Sequence, residues 1–175
     1  MLGRCRARTT CTQADRPYLR RAIELAQEAE RRGNLPIGTV ICLDGAIVSE
    51  GMNAIWQPVP DVTRHAEMEA LRSVTPSLWV RSREMTLYTT LEPCLMCAGA
   101  LLQAQLGRVV FGASDPYGGS QLGASPLPPY FQEQFLQADW VGPILPEECD
   151  PLFHRVLALV GEHGQAGSAS LPGEG

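Results

Sequence analysis

Two short stretches carry most of the chemical information in this 175-residue chain: His65-Ala66-Glu67 and Pro93-Cys94-Leu95-Met96-Cys97. One histidine and two cysteines supply the nitrogen and sulfur ligands that Zn²⁺ prefers, and three protein ligands leave the fourth tetrahedral position for water. Cys94 and Cys97 are expected at the N-terminus of a helix, where the helix dipole favours thiolates. The two stretches therefore predict a catalytic zinc site with His65, Cys94 and Cys97 as ligands.

Glu67 follows His65 by two residues, so it lies near the predicted metal without being needed as a ligand. A carboxylate in this place can take a proton from a water on zinc and deliver it to a ring nitrogen and then to a leaving amine. The combination of H-x-E with P-C-x-x-C is the signature of zinc-dependent nucleobase deaminases. We therefore predict Glu67 as the catalytic acid and base.

Two other interpretations of the Cys-x-x-Cys pair remain open. The pair could be half of a structural zinc site, or a redox-active dithiol. A structural site needs a fourth ligand, and the remaining His and Cys residues lack a suitable spacing. A redox pair leaves both His65 and Glu67 without a role. The complete set favours the deaminase interpretation.

Around these stretches the sequence alternates between helical and strand-like patterns. The first half predicts a helix from Asp15 (a candidate N-cap) to Gly33, strands at Pro36–Leu43 and Ala46–Gly51, a helix at His65–Val74 and a strand at Met85–Thr90. The second half predicts a helix at Cys94–Ala104, a strand at Arg108–Gly112, a loop at Tyr117–Pro129, a helix at Tyr130–Gln137, a strand at Trp140–Ile144 and a helix at Pro146–Val160. This alternation predicts one α/β domain over residues 15–160, a sheet covered by helices on both faces. Residues 1–14 and 161–175 are predicted to be disordered.

The charge of the chain bears on its partners. The net charge is −5, and all 14 basic residues are Arg. Residues 1–32 carry +4, residues 33–112 carry −2, and residues 113–175 carry −7. A broad nucleic-acid-binding face normally makes a domain basic. The acidic last third therefore argues against a nucleic-acid substrate.

Composition and cysteine usage bear on the compartment. Hydrophobic residues make up 45% and charged residues 19%, as in an ordinary globular protein. The longest apolar run, residues 94–102, is far shorter than the roughly 20 residues of a membrane helix. A chain of this length needs no disulfide framework for its six Cys. With no secretory signal, these features predict a reducing cytoplasm.

The chain resembles the cytidine deaminase-like superfamily of zinc deaminases, and within it the branch of bacterial tRNA adenosine deaminases and guanine deaminases. Beyond the two opening stretches, the resemblance rests on residues 35–40 (LPIGTV), 50–53 (EGMN), 90–100 (TLEPCLMCAGA) and 108–115 (RVVFGASD). It implies an α/β fold, a three-layer α/β/α sandwich with a mixed five-stranded sheet, and usually a homodimer.

The resemblance also implies substrate contacts. Asn53 matches the residue that hydrogen-bonds the substrate, the backbone N–H of Ala66 matches one that contacts the base, and Asp115 lies where the tRNA branch has an Asp near the ribose. Asn53 and Asp115 each have a simpler possible role than substrate binding. Asn53 could be a turn residue, and Asp115 could cap a turn before Pro116. Trp56 could stack on a base, although a loop anchor is the commoner role.

These observations together predict a zinc-dependent hydrolytic deaminase that acts on a free nucleobase or nucleoside. The alternative within the enzyme class is deamination of the wobble adenosine in tRNA. The resemblance implies a Lys/Arg-rich last helix for that branch, whereas Glu147–His163 contains one Arg and four acidic residues. An alternative of another class is a catalytically silent, deaminase-like binding subunit.

Overall fold

A computed structural model describes residues 13–124 and 126–168 of the chain. The helices are α1 (Arg16–Arg31), α2 (Ala66–Ser73), α3 (Leu95–Gln103), α4 (Pro129–Gln137) and α5 (Pro146–Ser168). The strands are β1 (Gly38–Leu43), β2 (Ala46–Met52), β3 (Thr86–Leu91), β4 (Arg108–Ala113) and β5 (Asp139–Val141). Two 3-10 helices, Gln13–Asp15 and Pro76–Glu84, precede α1 and β3.

The five strands form one mixed sheet in the order β2-β1-β3-β4-β5. β1 pairs antiparallel with both β2 and β3, whereas β3, β4 and β5 run parallel. Asp44 and Gly45 join β1 to β2 with φ of 53° and 77°, as a tight type I′ hairpin requires. The predicted mixed five-stranded sheet is confirmed.

Helices cover both faces of this sheet because successive strand residues point to opposite sides. Val40 of β1 packs in a cluster with Leu19 of α1, and α5 extends the helical layer on that face. The next residue, Ile41, packs on the opposite face with Ala70 of α2 and Leu101 of α3. The predicted α/β/α sandwich is therefore confirmed.

A glycine allows α2 to approach the sheet closely. A Cβ atom added to Gly51 of β2 would lie 2.2 Å from the carbonyl oxygen of Ala66 and 2.4 Å from the amide nitrogen of Ala70. Both atoms belong to the backbone of α2, so only a residue without a side chain fits here. This contact sets the position of the helix that His65 precedes.

Asp15 occupies the N-cap position of α1, but its side chain makes no capping hydrogen bond, contrary to the expectation from sequence. Its buried carboxylate instead accepts two hydrogen bonds from Arg108, at 2.6 and 3.0 Å, and one from the Tyr88 hydroxyl at 2.9 Å. Arg108 begins β4. A long-range charged contact, the Asp15–Arg108 ion pair, therefore fixes the start of α1, and local capping does not.

The C-terminal third differs most from the prediction. β5 ends at Val141 and not at Ile144, because Pro143 lacks the N–H that would extend the ladder. α5 continues past Val160 to Ser168, where the sequence predicted a disordered tail from residue 161. Trp56 stacks on His163 with ring centroids 3.6 Å apart, a tertiary contact that supports the extended helix despite its glycines.

The predicted disordered ends lie largely outside the described residues, which exclude 1–12 and 169–175. Gln13 and Ala14, which the sequence assigned to the disordered start, belong to the first 3-10 helix. Within the described part of the chain, no helix has the length and apolarity needed to cross a membrane.

Candidate active site

Three side chains meet where α2 and α3 begin. His65 is the residue before α2, Cys94 is the residue before α3, and Cys97 lies in the first turn of α3. His65 Nδ1 is 3.6 Å from the Sγ atoms of both cysteines, and all three ligand atoms lie within 4.8 Å of one another. Zinc–ligand bonds of about 2.0 and 2.3 Å at tetrahedral angles place N and S about 3.5 Å apart, close to the distances observed. The three residues therefore fit a tetrahedral zinc ion with one open position.

The charge state of the two thiols is set by their proximity. Hydrogen bonding from Cys97, and then from His65, lowers the pKa of the Cys94 thiol to about 4. The same contact with Cys94, together with burial, raises the pKa of Cys97. The hydrogen bond to Cys94 also raises the pKa of His65. Without metal, the cysteine pair thus holds one thiolate and one proton at neutral pH.

Zinc binding should depend on pH as a consequence. Thiolate and neutral imidazole are the ligating forms, so the metal must displace the proton of Cys97, and binding tightens as the pH rises. We expect the apparent zinc affinity to increase at least about tenfold per pH unit between about pH 6 and pH 8. Competition with a chromophoric chelator of known pH dependence measures this slope. A flat affinity over this range would contradict the shared-proton assignment.

Glu67 is almost fully buried beside the ligands. Its Oε2 lies 3.5 Å from Cys97 Sγ, and its Oε1 accepts a hydrogen bond of 3.1 Å from the Thr89 hydroxyl. Burial raises the pKa of Glu67. A carboxyl group that holds a proton more readily than usual is suited to exchange protons in a closed site. Thr89 was not predicted from the sequence, because its pairing with Glu67 depends on the packing of α2 against β3.

The predicted substrate residues Asn53 and Ala66 lie at the same end of the sheet. Asn53 follows β2 and is 1% exposed. Its Oδ1 accepts a bond from the Ile55 backbone N–H at 3.3 Å, whereas its Nδ2 is buried with no hydrogen-bond partner among the described residues. The N–H of Ala66, at the first position of α2, has no acceptor within the helix. Both donors are available to a ligand, and their roles as substrate contacts stay predictions.

Asp115 caps a turn in this structure. Its Oδ1 accepts bonds from the backbone N–H groups of Tyr117 and Gly118, both at 2.9 Å. These contacts match the simpler alternative from the sequence, and its substrate role stays a prediction. Glu92 was not predicted from the sequence. Its carboxylate accepts hydrogen bonds from the backbone N–H groups of Asp115 and Gln121 at 3.2 and 3.0 Å. Glu92 thereby connects this loop to the segment that carries the predicted zinc ligand Cys94.

A cavity of about 610 Å³ borders Asn53 on the outer side of β2. Its lining residues include Arg32, Arg64 and Gln57. Trp56 lies in the loop that follows β2, next to Gln57. It is half-buried against the core and stacks on His163. Trp56 therefore anchors the loop, as the commoner of its two predicted roles requires.

Comparisons with known proteins agree with this geometry. The model of the cytidine and deoxycytidylate deaminase zinc-binding region matches residues 12–113. The tRNA-specific adenosine deaminase of Bacillus subtilis (strain 168) is 39% identical over 139 residues, covering 77% of this chain and 83% of that protein. A structure solved in a study of A-to-I editing by tRNA:A34 deaminases is 31% identical with a TM-score of 0.61, covering 78% of this chain and 99% of that one. A Bacillus subtilis guanine deaminase structure is 38% identical with a TM-score of 0.50, covering 57% and 64%.

The matched region contains all three predicted ligands and Glu67. The resemblance to zinc deaminases is thus confirmed, together with zinc as the metal and hydrolysis of a C–N bond as the reaction class. The chain belongs to the cytidine and deoxycytidylate deaminase family.

Proposed function

We propose that this chain is a tRNA deaminase that converts adenosine at the wobble position to inosine. The observation that carries the proposal is the 39% identity to a tRNA-specific adenosine deaminase over 77% of the chain. The proposal reverses the prediction from the sequence, which favoured a free base or nucleoside because the last third of the chain is acidic and its last helix contains one Arg. The coarser conclusion, a deaminase of the nucleobase and nucleoside family, is common to both.

Each residue of the site has a part in this proposal. Zinc, when bound to His65, Cys94 and Cys97, supplies Lewis-acid activation of water. The free Nδ2 of Asn53 and the Ala66 N–H donate hydrogen bonds that orient the adenine ring. Glu67 moves one proton of the attacking water to the ring nitrogen, where it stays, and the second proton to the amino group, which leaves as ammonia. The low exposure of Glu67 and Asn53 keeps bulk water away from this proton transfer.

Deamination of a free nucleobase or nucleoside is the second candidate, and the ion pairs favour it. Arg64 binds Glu69 at 2.8 Å, Arg32 binds Glu28 at 2.7 Å, and Arg21 binds Glu50 at 2.8 Å. Guanidinium groups paired in this way are less available to phosphates, which normally dominate nucleic-acid affinity. A small substrate needs only a pocket around the base and no contacts to phosphates.

Substrate discrimination by the zinc-loaded protein separates the two candidates. We expect ammonia release from an anticodon stem-loop with adenosine at the wobble position, with kcat/KM at least about 100-fold above that for free adenosine, because only the stem-loop contributes binding energy from flanking nucleotides. Mass spectrometry of the digested RNA should locate the inosine. A stem-loop with guanosine at that position is the matched control. Turnover of free guanine or nucleosides without turnover of the stem-loop would contradict the proposal.

The proposal includes a homodimer in the cytoplasm. Leu95 and Met96 at the start of α3 are 71% and 39% exposed beside the metal centre, and an apolar surface of this kind is typical of subunit contacts. Sedimentation equilibrium of the purified chain measures the association. A monomer at every concentration tested would remove this part of the proposal.

A further inference from the structure

Two buried hydroxyl groups link the centre of the sheet to Glu67. Thr39 of β1 and Thr89 of β3 are direct cross-strand partners, and both are 0% exposed. The Thr39 hydroxyl donates to Thr89 Oγ1 at 3.0 Å, and the Thr89 hydroxyl donates to Glu67 Oε1 at 3.1 Å. The chain of hydrogen bonds ends at the carboxylate.

The direction of these bonds constrains the carboxylate. Each threonine hydroxyl has one hydrogen to donate, so Thr89 spends its hydrogen on Oε1 and Thr39 polarises that bond further. Oε1 is therefore held as an acceptor. Oε2 lies 3.5 Å from Cys97 Sγ, on the side of the predicted metal ligands. Neither threonine contacts this second oxygen, which is the one on the metal side. The backbone N–H of Glu67 also donates to the carboxylate, and Thr89 acts beside that donor.

We propose that Thr89, supported by Thr39, is a positioning residue that fixes the Glu67 carboxylate with Oε2 towards the reacting atoms. The inference rests on the proposed function, since it assumes that Glu67 moves the proton. A purely structural role, in which the hydroxyls only satisfy one another between β1 and β3, does not require the bond to Glu67.

Four variants separate positioning from structure. Thr89→Val keeps the shape of the side chain and removes its hydroxyl. We expect kcat to fall about 10-fold with KM nearly unchanged, because a hydrogen bond to a charged group is lost in the transition state. Thr89→Ser should restore most of kcat. Thr39→Val, two bonds from the carboxylate, should lower kcat only about 2-fold. Because Thr89→Val alone strands the Thr39 hydroxyl, the double variant Thr39→Val/Thr89→Val should recover stability but not kcat.

A second readout does not depend on turnover. Crystal structures of the zinc-loaded wild-type and Thr89→Val proteins should show one Glu67 carboxylate orientation in the former and a rotated or divided one in the latter. An unchanged orientation, or a zinc-loaded Thr89→Val protein with full kcat, overturns the proposal. If the wild type turns over no substrate yet the orientation changes as expected, the proposed function fails while the positioning role stands.

Discussion

Glu67→Gln is expected to lower kcat for ammonia release by about 100- to 10,000-fold, the usual contribution of a general acid and base. Glutamine keeps the volume of the side chain and can still accept the Thr89 hydrogen bond, but it cannot take up and return a proton. Because Glu67 is 4% exposed, bulk water cannot easily substitute for it. Zinc content should stay at the wild-type value, since Glu67 is not one of the three ligands.

The measurement is single-turnover ammonia release by zinc-loaded protein, with metal content determined on the same samples. Glu24→Gln is the matched control, because it is the same substitution at an exposed position of α1, where Glu24 pairs with Arg21. The control should retain wild-type kcat. Wild-type activity in Glu67→Gln would exclude the catalytic role of Glu67. A wild-type protein with zinc but without activity on any substrate would instead favour the silent binding subunit.

Gly51→Ala is expected to have the largest effect on stability. The added methyl group would overlap the Ala66 carbonyl oxygen and the Ala70 amide nitrogen, at 2.2 and 2.4 Å. Neither atom can move without the whole of α2, so the overpacking should cost about 3 kcal/mol and lower the melting temperature by about 6–12 °C. The displaced helix would carry His65 and Glu67 with it, so zinc affinity should fall as well.

Thermal unfolding and a zinc titration of Gly51→Ala measure these two effects. Gly161→Ala is the control, because a Cβ at Gly161 in α5 meets nothing within 4 Å. Alanine in place of glycine in an exposed helix should stabilise it by up to about 1 kcal/mol. If Gly51→Ala unfolds at the wild-type temperature with unchanged zinc affinity, the close approach of α2 does not position the metal centre.

The sequence was sufficient for the metal centre because its chemistry is local. His65, Glu67 and the Cys94–Cys97 pair occur in two short stretches, and each stretch begins a helix, so spacing alone predicts which side chains meet. The architecture of the sheet could also be predicted from the sequence. Asp44-Gly45 identifies a tight hairpin, and the alternation of strands and helices predicts the layers.

The residues that support the centre could not be predicted in this way. Thr89 contacts Glu67 because of the pairing register of β1 and β3 and the packing of α2 on the sheet. Glu92 binds a loop that begins 23 residues further along the chain. A threonine in a strand, or a glutamate before a proline, has many ordinary roles. The part of α5 beyond Val160 likewise contains His163, which stacks on the distant Trp56. Such contacts are properties of the tertiary structure.

The Asp15–Arg108 ion pair has a practical consequence for handling the protein. Arg108 begins β4, which runs parallel to β3, whereas Cys94 and Cys97 follow the C-terminal end of β3. The described chain therefore enters the domain at the end of the sheet remote from the zinc ligands. A chemical label attached at residue 13 would lie on that remote side, away from the approach of an RNA or a nucleoside to the metal.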